Sequence, residues 1–133
     1  MVAEKRFKTE MSEVWIDEEG ILILAFLQDG EVDLEEVKAC FTAYEEMGIN
    51  PGNKVLQLID ARHHAMPNAE ARDYAAKVGR DYFTASAVVS NSVAARLIVN
   101  FFNSFYKAPV PFKIFGDEES ARKWLRTFKK SKF

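Results

Sequence analysis

The apolar pattern of this chain predicts an α/β fold: one layer of mixed, mostly parallel, five-stranded sheet packed by about four helices, in the order β-β-α-β-α-β-α-β-α. Three observations lead there. Short apolar runs alternate with longer segments in which apolar residues recur at helical spacing, as parallel strands joined by helical crossovers require. The helical segments open on Asp, Asn or Ser, side chains that cap free backbone N–H groups. Finally, 133 residues with 48% hydrophobic and 13% aromatic content form a core large enough to need neither metal nor disulfide.

The first two strands read as a hairpin. Residues 13–16 alternate, Asp17-Glu18-Glu19-Gly20 makes a tight polar turn, and the apolar run 21–27 follows. That second run is unbroken, which predicts a strand covered on both faces. It is seven residues long, far short of the ~20 that cross a bilayer. Asp33 is placed to cap a helix reaching Met47, with Glu35 and Glu36 in the first turn complementing the helix dipole. Gly48, Pro51 and Gly52 stop it. Residues 55–59 form the next strand, closed by Asp60. Asn68 caps a second helix carrying Ala71, Tyr74, Ala75 and Val78 on one face and ending at Gly79. A strand over 83–89 runs into Ser90-Asn91-Ser92, and a third helix spans about 93–106. Pro109 and Pro111 exclude further helix, 112–115 is a short strand, and Asp117 starts a last helix with Ala121, Trp124, Leu125 and Phe128 on one face. No repeat, linker or low-complexity stretch interrupts this series. The chain reads as one domain over 1–133 with its core at about 12–128.

The net charge of −2 gives no electrostatic case for nucleic acid. The distribution is uneven: residues 10–49 hold twelve acids and one base, Lys38, whereas 100–133 hold eight bases and three acids. Such a split either steers association or forms two solvated faces. The start, MVAEKRFKTEMSE, has no apolar core after its charges, so it does not read as a signal peptide. A single cysteine, Cys40, shares a stripe with Val37, Phe41, Tyr44 and Met47 and reads as a small buried hydrophobe, suited to a reducing cytoplasm.

Ligands of open α/β sheets collect beyond the carboxyl ends of parallel strands. Three segments qualify here: 60–68, 90–92 and 116–117. Their helix N-termini and nearby arginines nominate Asp60, Arg62, His64, Asn68, Arg72, Ser90, Asn91, Ser92 and Arg96 as a candidate site for an anion or polar head group. His63 and His64, with Asp60 to orient them, offer acid–base chemistry as an alternative. Adjacent residues of an extended segment point apart, however, so a solvated loop pair is the simpler reading. Ser90-Asn91-Ser92 lacks the glycines of a nucleophile elbow, and no Walker, GxGxxG or EF-hand pattern is present. No cofactor or metal site is read. Val93, Ala94, Leu97, Ile98, Phe101, Phe102 and Phe105 give the third helix an apolar stripe wider than one sheet contact needs. With Tyr106, the last three make a candidate homodimer interface or pocket wall; burial by sheet and neighbouring helix is the plainer account.

With these segments placed, the chain resembles STAS-like domains, the family of bacterial anti-sigma-factor antagonists and sulfate-transporter tails, and within it a small uncharacterised bacterial branch. The resemblance rests on Val14-Trp15-Ile16-Asp17-Glu18-Glu19-Gly20-Ile21-Leu22, on Leu58-Ile59-Asp60-Ala61-Arg62, and on Glu70-Ala71-Arg72. It continues through Ala87-Val88-Val89-Ser90-Asn91-Ser92 and the closing stretch from Ile114-Phe115-Gly116-Asp117 to Trp124-Leu125. It implies a non-enzymatic regulatory module that binds partners, nucleotides or lipids. With the missing active-site motifs, the charge split and the Phe-rich helix, the reading is a cytoplasmic interaction module of unknown protein partner; a small-molecule or lipid-binding module at the strand ends and helix N-termini is the alternative. In that family a Ser at the start of the helix after the Asp-ended strand is the phosphorylation switch. The matching residues here, Met66-Pro67-Asn68-Ala69, include no Ser or Thr, so the switch is not expected.

Overall fold

The computed structural model describes residues 5–105 and 110–129. Its strands are β1 (Phe7–Lys8), β2 (Ser12–Ile16), β3 (Leu22–Phe26), β4 (Gly30–Val32), β5 (Val55–Asp60), β6 (Ala65–Pro67), β7 (Phe83–Val89) and β8 (Phe112–Phe115). The helices are α1 (Leu34–Glu46), α2 (Ala69–Gly79), α3 (Val93–Phe105) and α4 (Glu118–Arg126). The main sheet runs β1-β2-β3-β5-β7-β8. It is antiparallel through the opening hairpin and parallel from β3 to β8. The mixed, mostly parallel sheet and its four helices are those the sequence predicts.

The strand count is a correction: the main sheet has six strands, not five, and a separate parallel pair joins β4 to β6. The three extra strands are two or three residues long, too short to show any alternation. Gly30 and Pro67 also sit in the small pair, where both residue types argue against a strand.

Local chemistry sets the element ends. Asp17 Oδ1 accepts from the backbone N–H groups of Glu19 and Ile21 at 2.9 and 3.0 Å, and Gly20 takes φ +79° to close the hairpin. Asp33, Asn68 and Asp117 cap α1, α2 and α4, each accepting from the N–H three residues on at 2.8–2.9 Å.

β3 is covered on both faces. Leu22 and Leu24 pack with Val14, Cys40, Phe41, Tyr44 and Phe83 beneath α1 and α2. Ile21 and Ile23 pack with Leu56, Leu58, Ala85, Ala87, Val89, Ala121 and Leu125 beneath α4. The alanines of β7 and Ala121 let α4 lie close to the sheet, and Trp124 stacks edge-on against Phe128 with ring centres 4.8 Å apart.

The uneven charge is partly consumed inside the molecule. Arg122 donates to Asp17 at 2.7 Å and Glu19 at 3.1 Å, and Arg126 holds Glu19 in a two-pronged pair at 2.8 Å. Lys129 adds a third cation at 3.7 Å. These contacts hold the Glu19 carboxyl down at about 2. Among the described residues, no helix is long and apolar enough to cross a membrane.

Candidate functional site

The parallel strands deliver residues 60–62, 90–92 and 116–117 to one edge of the sheet. Ala61 N–H donates to Val89 O at 2.9 Å, and Ser90 N–H donates to Phe115 O at 2.9 Å. The candidate residues there are occupied by one another. Arg62 grips Asp60 through Nε and Nη2 at 2.8 and 2.7 Å, and its Nη2 lies 3.8 Å from Glu118. Those bonds lower the Asp60 carboxyl and raise the Arg62 guanidinium. Ser90 is buried and accepts from Ser92 N–H at 3.1 Å, while Ser92 Oγ accepts from Ala95 N–H at 3.2 Å, capping α3. Asn91 and Arg96 are exposed.

The second group stands at the start of α2. Asn68 accepts from Ala71 N–H at 2.9 Å and donates to Glu31 at 3.3 Å. Arg72 reaches back to Pro67 O at 2.7 Å. Both histidines are exposed, with His63 Nδ1 3.5 Å from Asp29 and His64 anchored through its backbone N–H to the same carboxylate. The nine candidate residues therefore divide among strand ends, helix caps and solvent rather than converging on one ligand.

What the fold does form is a partly open cavity of about 200 Å³ between the sheet and helices α1, α2 and α3. Its walls are mostly apolar: Leu24, Ile59 and Val88 from the sheet, Ala71, Ala75 and Gly79 from α2, and Val99 from α3. Of the nine candidate residues only Arg72 lines it. The inward face of α2 carries Ala71, Ala75, Ala76 and Gly79, side chains too small to fill the space above β5 and β7. Polar groups enter the lining from the sheet and α1. Gln57 and Ser86 are paired across β5 and β7, and Ser86 Oγ donates to Gln57 Oε1 at 2.8 Å. Gln57 Nε2 lies 3.3 Å from Tyr44 Oη. All three side chains are buried, and burial pushes the Tyr44 phenol well up. These residues were missed by sequence reasoning. The available signal was a Gln and a Ser in the middle of two largely apolar strands.

Cys40 also lines the cavity, and burial together with the Glu36 carboxylate pushes its thiol up to about 12, as suits a packed hydrophobe and not a nucleophile. One turn before Cys40 on the same face of α1, Glu36 is buried and accepts from Thr9 Oγ1, from Ser12 Oγ at 2.6 Å and from Cys40 Sγ at 3.9 Å, which ties the opening hairpin to α1.

α3 turns its first two turns opposite to the plainer expectation. Val93 is 71% and Leu97 64% exposed, whereas Val99 faces inward at 6%. The side chains of Phe101, Phe102 and Phe105, and Tyr106 altogether, lie outside the described residues.

The solved structure of an uncharacterised protein of the DUF3478 family from Shewanella loihica PV-4, with a SpoIIAA-like fold, is similar at a TM-score of 0.58. The likeness covers 92% of both chains at 18% identity. It bears out the STAS-like, or SpoIIAA-like, fold expected from the sequence. No curated protein matches the chain. A family model described as a domain of unknown function (DUF7793) matches residues 14–129, most of the chain, and the protein belongs to that family.

Proposed function

We propose that this protein is a non-enzymatic binding module that holds a small, largely apolar molecule between α2, α3 and the sheet. The cavity of about 200 Å³ carries that reading. An apolar cavity of roughly 150 Å³ takes up benzene, so this one suits a six-membered ring with a few added atoms, or a short acyl chain. The strand-end residues support a binding role over catalysis. Asp60 is spent on Arg62, and both histidines stand in solvent, so none of these three groups faces the cavity. Asn68 is spent on capping α2, which supports a module without a phosphoserine switch at that point.

Native mass spectrometry of gently purified protein, paired with a denatured spectrum, tests the reading. A mass excess lost on denaturation identifies the ligand. The matching variant is Ala75→Phe, which fills the cavity. Unchanged retention in that variant, with its fold intact by circular dichroism, overturns the cavity as the site.

A regulatory, partner-docking role is the second reading, and the outward Val93 and Leu97 favour it. α3 has one face on the cavity and the other in solvent, so occupancy beneath it would bear on whatever docks above. Loss of a captured partner in Leu97→Ser, with ligand retention unchanged, supports that role; a partner retained equally well removes α3 as its docking face.

A further inference from the structure

The polar groups on the cavity floor select among apolar molecules. Tyr44, Gln57 and Ser86 all line the cavity, and all are more than nine-tenths buried. Their hydrogens can be counted. The phenol and the hydroxyl carry one each and the amide carries two. The two bonds of the triad, Gln57 to Tyr44 and Ser86 to Gln57, use two of these four hydrogens. Turning the Gln57 amide over does not change the balance: Tyr44 then donates to the amide oxygen and the amide to Ser86, which frees the Ser86 hydrogen instead. In either orientation two donor hydrogens stay unspent, and among the described residues no further acceptor meets these side chains. No cation is part of the triad. Of the arginines on the lining, Arg80 is exposed and Arg72 is turned to Pro67 O.

We infer that the cavity floor is a neutral carbonyl-binding subsite, built from Tyr44, Gln57 and Ser86, that seats the ketone, aldehyde, ester or amide oxygen of a small apolar ligand. The inference rests on the cavity reading above and narrows it from any apolar molecule to one with an uncharged acceptor at its buried end. An unmet donor on a buried side chain among apolar walls is costly, and a carbonyl oxygen with two lone pairs can meet both hydrogens at once.

Acetophenone and α-methylstyrene make the test, since they share a shape and differ by C=O against C=CH2. Dissociation constants for both are measured by calorimetry or ligand-observed NMR on the full chain and on the triple variant Tyr44→Phe/Gln57→Leu/Ser86→Ala. That variant removes donors and acceptors together, so no orphaned group is left. The expected result is that acetophenone weakens roughly 5- to 10-fold in the variant while α-methylstyrene stays within about twofold. Both probes binding both proteins with an unchanged ratio overturns the carbonyl subsite and leaves the apolar cavity standing. Neither probe binding the parent protein overturns the cavity reading itself, and the subsite with it. Should the variant fail to fold, the carbonyl stretch of acetophenone bound to the parent decides the matter. A band shifted to lower wavenumber than in an alkane supports the subsite, and an alkane-like band overturns it.

Discussion

Replacing Ser12 with Ala probes the contact that fastens the opening hairpin to the first helix. Ser12 is fully buried, and its hydroxyl donates to the Glu36 carboxylate at 2.6 Å. The acceptor is itself only 6% exposed, so solvent does not replace a lost donor. Hydrogen bonds to charged groups contribute about 1.5–3 kcal/mol net. Thr9 and Cys40 still donate to the same oxygen after the change, which places the expected loss near the middle of that range, about 2 kcal/mol. At roughly 2.1 cal/mol/K per residue, 133 residues unfold with an entropy near 0.28 kcal/mol/K, so the melting midpoint should fall by about 7 °C. Thermal unfolding followed by circular dichroism measures it. The same substitution in a Glu36→Leu background should be neutral or stabilising, because the hydroxyl has already lost its acceptor. A midpoint lowered by less than about 2 °C, or an equal loss in both backgrounds, would refute the reasoning.

Glu19→Gln removes the carboxylate that Arg126, Arg122 and Lys129 surround. The folded carboxyl sits at about 2 against an ordinary 4.5, so its stabilisation is complete above pH 4.5 and drains away as the pH falls toward 2. The variant should trail the parent by roughly 0.5–1 kcal/mol at neutral pH and converge with it in acid; urea midpoints that stay apart at pH 2 contradict this. The Cys40 thiol, raised to about 12 and buried, should resist iodoacetamide at pH 8 until denaturant is added, as mass spectrometry would show. On α3, Leu97→Ser should change stability by less than about 0.5 kcal/mol and Val99→Ser by about 2 kcal/mol or more, so equal melts would reverse the helix's orientation. Asn68→Ala should cost about 1 kcal/mol through the lost cap, read from a denaturant melt.

What could be read from the chain was what short-range chemistry decides. Asp33, Asn68 and Asp117 announce their helices because a cap acts over three residues, all adjacent in sequence. The run from Ile21 announced burial on two faces because its consecutive apolar side chains point to both sides of the sheet. The burial holds through Leu24 and ends before Leu27, which is 45% exposed. The small strands gave no such signal: Gly30–Val32 and Ala65–Pro67 pair only because the crossovers bring them side by side. The nine candidate residues could be located along the chain, but pairing partners are a three-dimensional matter. Nothing near Arg62 in sequence says that Glu118 joins Asp60 around it. The cavity is a volume deficit, visible only when the alanines and Gly79 of α2 are set above the sheet. Periodicity counts those residues as core without asking how much space they leave.

The bond from Arg122 to Asp17 spans 105 residues, and it closes a face that the ribosome has to leave open. Ile21 and Ile23 emerge early, whereas Ala121 and Leu125, which cover them, come from the last helix. At about 5–20 residues per second that interval lasts on the order of 5–20 s. Throughout it, one side of each completed strand is an apolar surface with no lid. Transiently bare apolar surface of that kind is what makes incomplete chains prone to aggregate, so this face is complete only once α4 docks.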